Sequence, residues 1–178
     1  MKGRLVTHRR LLFIAAMLVS QWVLGSEIDE WYVGAAAGLV QVDESTGADD
    51  HGAALRGLIG RKLDRDMAVE LELATARVEF PASGDLDQHH LGLNVLFINR
   101  DAFWNPFFLV GVGAFRNDAD LFRDTGAMAQ VGVGGMWDLN GLGLMLRAEV
   151  RYRHSDQDID FVDDGQAALM IGLNFPIR

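Results

Sequence analysis

The residues best placed to do chemistry are ionic and alternate along two short segments. Glu70 and Glu72 stand two apart, and so do Arg147, Glu149, Arg151 and Arg153. A spacing of two puts side chains on one face of a strand. Six charges of both signs on inward faces would be costly unless paired and hydrogen-bonded. Two outcomes fit such a set: a closed, ion-paired plug, or a gate in which the charges exchange partners and open a narrow ion path. Other candidates are weaker. His154-Ser155, followed by Asp156, suggests a serine hydrolase, but a nucleophile needs its base within hydrogen-bond reach, and neighbours on a strand point to opposite faces. His89 and His90 are adjacent, so only one can serve a given metal site. The run Asp156-Gln-Asp-Ile-Asp160 with Asp163 and Asp164 is rich in oxygen ligands for a hard cation, yet Phe161 occupies the sixth position, where a calcium loop needs glycine. It reads as a solvated acidic loop. The expectation is therefore no catalytic residue, no metal site and no cofactor.

Period-two patterning dominates the elements that must position these residues. Eight segments alternate apolar with small or polar residues, at 31–42, 52–61, 67–78, 89–98, 107–116, 126–137, 144–154 and 166–175. Most are about ten residues long, enough to cross a bilayer as a tilted strand. Their connections alternate between longer and shorter. Residues 43–50, 79–88, 117–125 and 155–165 are the long ones; 62–66 and 138–143 are short, and 99–106 is intermediate.

Composition narrows the class. The chain has 178 residues, no cysteine, 20 glycines and 3 prolines. Disulfides and thiolate chemistry are excluded, and stability must come from packing and hydrogen bonds. Residues 1–25 read as a cleaved signal peptide: Lys2, Arg4, Arg9 and Arg10 precede an apolar stretch from Leu11 to Val19, too short to span a membrane, where about 20 residues are needed. Val23 and Gly25 allow cleavage before Ser26. The remaining 26–178 then carry 12 basic and 25 acidic residues, a net −13. Such a domain is ill suited to nucleic acid, whose binding requires cationic neutralisation of phosphates.

The phase of the alternation decides which face is outside. Leu144, Leu146, Ala148, Val150 and Tyr152 oppose the ionic row of the seventh segment. Val69, Leu71 and Leu73 oppose Glu70 and Glu72. Leu169, Ile171, Leu173 and Phe175 oppose Met170, Gly172 and Asn174, and Val131, Val133 and Trp137 oppose Gln130, Gly132 and Gly134. One face is aliphatic without interruption; the other mixes charge with glycine. Glycines suit a narrow lumen where long side chains need room, and would only weaken a solvated face. The predicted fold is an all-β, eight-stranded antiparallel up-and-down transmembrane barrel with an outward apolar face, short periplasmic turns and long external loops. The rival is a soluble ligand-binding barrel with the faces reversed. Trp31, Trp104 and Trp137, with Phe103, Phe107 and Phe175, fall at segment ends on the short-turn side, as interfacial aromatics do.

Several stretches resemble the OmpA-type outer-membrane barrel of Gram-negative bacteria. Trp31-Tyr-Val-Gly-Ala-Ala-Ala-Gly38 resembles its first strand, Asn105-Pro-Phe-Phe-Leu-Val-Gly-Val-Gly113 the start of its fifth, and Leu146-Arg-Ala-Glu-Val-Arg-Tyr-Arg153 its charged seventh. The closing Gly172-Leu-Asn-Phe175 is similar to the terminal aromatic strand used in barrel assembly, although Pro176-Ile177-Arg178 follow it where the family ends on the aromatic residue. The resemblance covers nearly all of 27–178. It implies interior charges at Glu70, Arg147, Glu149 and Arg151. It also implies a surrounding of outer-membrane lipid and lipopolysaccharide and insertion by the barrel-assembly machinery; a monomer is expected separately, because a closed eight-stranded barrel has no free edge that forces pairing. Members of this family often carry a peptidoglycan-binding domain behind the barrel; none is expected here. Lipid A deacylases of the same architecture carry His-x-Ser near the outer rim, a spacing that the adjacent His154-Ser155 does not match. The sequence reading is a non-enzymatic structural barrel of the outer membrane, acting in envelope integrity or surface interactions. Its alternatives are a small ion-conducting pore, a lipid A-modifying enzyme and a soluble periplasmic binding barrel.

Overall fold

The computed structural model describes residues 30–42, 51–80, 84–119, 122–139, 143–155 and 165–177. The expected signal segment and the acidic stretches 43–50 and 156–164 lie outside them. The described chain forms eight strands: β1 (Glu30–Val42), β2 (His51–Lys62), β3 (Met67–Phe80), β4 (Gly84–Ile98), β5 (Phe107–Ala119), β6 (Phe122–Asp138), β7 (Met145–Ser155) and β8 (Gly165–Ile177). Each pairs antiparallel with the next, and β1 pairs with β8, from Trp31 opposite Ile177 to Val42 opposite Gln166. The sheet is a closed barrel with no free edge to template association.

All eight expected strands are present with the expected phase. Two of the expected long loops are not loops. Residues 79–88 and 117–125 are mostly strand: Phe80 pairs with Gly84 in the β3–β4 hairpin, and Ala119 with Phe122 in the β5–β6 hairpin. Their polar residues are compatible with strand, because a strand beyond an apolar band can keep its ladder while presenting charge to water. Arg77 and Asp87, for example, are cross-strand partners with their charged atoms 3.9 Å apart.

The short connections are built by local polar chemistry. At 63–66, the Asp64 carboxylate accepts the Asp66 N–H at 2.7 Å, closing an Asx turn. At 99–106, Asn105 adopts a left-handed φ of 39°, which asparagine tolerates better than most residues. Its Nδ2 donates to the Met136 carbonyl at 2.9 Å, and Met136 N–H donates to the Trp104 carbonyl at 2.9 Å. This turn therefore leans on β6 and lays Trp104 across Gly135, where a Cβ would come within 2.7 Å of the ring. Trp104 and Trp137 stand 6.4 Å apart, tilted by 30°.

Alternation sorts the side chains as the phase predicts. Leu71, Leu73, Val131, Val133, Val150, Leu169 and Ile171 are exposed, while Glu70, Glu72, Gln130, Arg147, Glu149 and Arg151 are almost wholly buried. The barrel is thus apolar outside and polar in its middle. Its interior is not polar throughout, however. Tyr32, Leu58, Leu96, Ile98, Phe107, Leu109 and Met136 pack together inside the short-turn end, and Ala36, Val40, Ala54, Ala76, Ala168 and Met170 pack toward the other. Members of the second group stand directly beside the charges on neighbouring strands: Met170 opposite Glu149, Ala168 opposite Arg151 and Ala36 opposite Arg56.

Candidate functional site

The inward row of β7 is the spine of the charged layer. Arg147, Glu149, Arg151 and Arg153 point into the lumen because the ladder with β6 and β8 fixes their phase. Glu70 and Glu72 face them from β3, four strands away around the ring. Arg147 grips Glu70 with both terminal nitrogens, at 2.5 and 3.2 Å, and its Nε donates to Glu149 at 2.7 Å. Arg151 donates from Nε to Glu149 at 2.5 Å and from Nη1 to Glu72 at 2.6 Å. Five of the six predicted ionic residues are joined in this way. The sixth, Arg153, is also buried and donates from Nε to the amide oxygen of Gln130 at 3.2 Å. No carboxylate among the described residues pairs with it.

Four further residues complete the layer, none of them singled out for this role in the sequence. Arg56 of β2 pairs with Glu149 and lies 3.9 Å from Glu72. The Tyr32 hydroxyl donates to Glu70 at 2.7 Å. Gln130 Nε2 donates to Glu72 at 2.8 Å and to Asn94 Oδ1 at 2.6 Å. A signal for Arg56 was available: it shares its phase with Ala54 and Leu58, whereas Leu55 and Ile59 face out. Phase places a residue in the lumen; it does not say which group on another strand it meets. Planar guanidinium forks suit this task, since they engage several carboxylates while staying charged. Glycines give the forks and rings their space. A Cβ at Gly60 would fall 2.2 Å from the Tyr32 ring.

The aromatic candidates gather at the short-turn end. Trp31, Trp104 and Phe175 are exposed there and Trp137 is half-buried. Trp31 carries the Arg61 guanidinium 5.6 Å from its ring centroid. Phe107 departs from the expectation. It points inward, 4.6 Å beneath the Arg147 guanidinium, because its ladder position shares the phase of Leu109 rather than that of Phe108. Exposed Phe97 and Phe108 stand as cross-strand partners on the outside instead.

The remaining candidates do not converge. His89 faces out and His90 in. His154 is exposed and Ser155 half-buried at adjacent strand positions, while Asp156 lies outside the described residues. Among the described residues, no group of three or more His, Cys, Asp or Glu side chains is arranged to hold a metal ion.

No protein-family model matches the chain, and no curated protein does either. Solved structures do. The Neisserial surface protein A, NspA, superimposes with a TM-score of 0.70 at 16% identity, covering 81% of this chain and 95% of that one. The N-terminal β-barrel domain of Pseudomonas aeruginosa OprF gives 0.54 at 16% identity, covering 82% and 97%. The outer membrane enzyme PagL gives 0.53 at 12% identity, covering 82% and 99%. At these identities the likeness is one of architecture: the chain has the fold of the eight-stranded outer-membrane β-barrels.

Proposed function

We propose that the protein is a structural component of the bacterial outer membrane, closed by its interior ion pairs, that presents its outer connections for surface interaction. The observation carrying this reading is the inverted polarity. Aliphatic side chains such as Leu73, Val133 and Ile171 are more than half exposed, while among the described residues four arginines and three glutamates are buried. A continuous exposed apolar band of this kind marks a surface that meets membrane or a partner, and in a barrel it matches the band of transmembrane strands. It counts equally against a soluble periplasmic binding barrel. Eight strands leave an interior that side chains just fill, and here guanidinium forks cross it. Lipid and lipopolysaccharide would surround the band, and the barrel-assembly machinery would insert a chain that needs no second copy to close its sheet.

Heat modifiability tests the membrane reading. Outer membranes are isolated, and the protein is run on a denaturing gel with and without boiling. A closed barrel resists detergent until heated and shifts between lanes. Recovery in the soluble periplasmic fraction without a shift would overturn it. Loss of surface binding or envelope integrity on gene deletion tests the role itself.

A small pore is the second reading, favoured by one feature. Glu149 is shared among Arg56, Arg147 and Arg151, so rotation of one guanidinium leaves the carboxylate still compensated. Reconstituted protein would then conduct, and neutralising Arg147 or Glu70 would change the conductance; silent bilayers would end this reading. Enzymatic modification of lipid A has less support, since His154 and Ser155 occupy adjacent positions of one strand. Identical lipid A mass spectra with and without the protein are the expected result.

A further inference from the structure

We infer that the lumen carries a second barrier to ions, higher than its charged layer: an apolar collar at the short-turn end. In the membrane reading, on which this depends, an open lumen would join two compartments. The collar lies between the charges and the short-turn mouth on strand after strand. On β2, Leu58 stands nearer the short turn than Arg56; on β3, Ala68 nearer than Glu70; on β4, Leu96 nearer than Asn94. Met136 of β6 and Met145 of β7 bear the same relation to Gln130 and Arg147. With Tyr32 of β1 and Phe107 of β5, seven of the eight strands contribute to one packed apolar cluster. Whatever passes the charged layer must therefore pass the collar as well.

Its two faces differ. Toward the charges, the Tyr32 hydroxyl donates to Glu70 at 2.7 Å, and the Phe107 ring centroid lies 4.6 Å from the Arg147 guanidinium. Toward the short turns, a depression with Glu30, Lys62 and Arg100 at its rim ends on Tyr32, Ile98, Met136 and Met145. Within the same cluster, Leu96 and Leu109 have no accessible surface. Asn174 of β8 lines the depression with a polar side chain, but its amide nitrogen is already directed at Met136 Sδ, 3.9 Å away.

The two layers treat an ion differently. In the charged layer, carboxylates, guanidiniums and amides can stand in for lost water. Glu149 is shared by three arginines, so one guanidinium can turn away without leaving it bare. The collar offers no such exchange. Its side chains are apolar, and the backbone around it is committed to the closed ladder. An ion that enters gives up water and gains no ligand in return. Hydrophobic constrictions close pores in this way, by excluding water. Exchange of partners in the charged layer therefore leaves the lumen shut, and permeation requires the collar to be breached as well.

Potassium release from phosphatidylcholine vesicles containing the protein tests the collar. Flotation of the vesicles measures how much protein is incorporated, and the heat shift on a denaturing gel shows that each variant is folded. Vesicles with the unmodified protein, or with Glu70→Gln, whose collar is intact, should release potassium no faster than empty vesicles. Adding Leu96→Ser and Met136→Ser to Glu70→Gln should produce release in proportion to the protein incorporated. If the serine form loses its heat shift, Leu96→Ala with Met136→Ala in the same background, which removes bulk without adding a hydroxyl, carries the same expectation. Release through the unmodified protein or through Glu70→Gln alone would overturn the inference, as would silence of an incorporated, heat-shifting collar variant; either leaves the membrane reading standing. Unmodified protein that fails to float with vesicles and shows no heat shift would end both.

Discussion

Arg147 and Glu70 lie on strands four apart in the ring, β7 and β3, and join across the lumen through two nitrogen–oxygen contacts of 2.5 and 3.2 Å. Such a tie spans the full width of the barrel, so it resists both collapse and widening. It is also dry, with both side chains essentially inaccessible. Removing one partner leaves a buried charge with less compensation. Glu70→Gln should therefore destabilise the barrel by about 3 kcal/mol, read from urea unfolding in detergent micelles. The double change Glu70→Met with Arg147→Met should recover much of that loss, because an apolar pair needs no compensation. Equal loss in the single and double variants would show that the tie is not a unit.

Tyr32 and Gly60 form a second testable pair. The ring of Tyr32 lies against the bare backbone of Gly60, and its hydroxyl reaches Glu70 at 2.7 Å. Gly60→Ala places a methyl where the ring is, and overpacking of this kind costs about 1–3 kcal/mol. In a Tyr32→Ala background the same change should cost almost nothing. A double-mutant cycle by equilibrium unfolding isolates the coupling. Additive costs would mean the ring simply moves aside.

The outward band makes a prediction of opposite sign for membrane and soluble barrels. Val131 lies midway along β6 and is exposed. Val131→Arg should destabilise the protein in vesicles by about 2–4 kcal/mol, as expected for a cation near the bilayer midplane. A soluble barrel would tolerate the change or become more soluble.

The tryptophans should report one depth. Trp31, Trp104 and Trp137 cluster at the short-turn end, with Trp104 and Trp137 in ring contact. Lipids brominated near the headgroup should quench their fluorescence more than lipids brominated at the acyl terminus. Stronger quenching from the acyl terminus would place this end inside the hydrocarbon.

Much of the architecture was legible in single residues. Leu71 beside Glu72, and Val150 beside Arg151, fix the phase of their strands, since a one-residue slip would put arginine on the outer apolar band and valine in the lumen. Phe107 points inward against expectation, because an aromatic at a strand start is ambiguous until its phase with Leu109 is set by the ladder. Residues 79–88 and 117–125 resemble loops in sequence because aspartate and asparagine are common in loops and equally acceptable on a strand beyond the apolar band. Arg56 carries no local sign of its role, because its partner, Glu149, lies 93 residues away.

The sequence by itself determined eight strands, their inward and outward faces, and the charges that must share a confined interior. Those follow from local periodicity, which every strand carries within itself. The tertiary structure alone decided which charges meet. Closure of β1 on β8 and the stagger of each ladder bring β2, β3 and β7 to a common level. That geometry makes Glu149 the shared acceptor of three arginines and, among the described residues, sets Arg153 against the amide of Gln130 rather than a carboxylate. No single strand carries that information, because pairing across a barrel depends on the register of all eight.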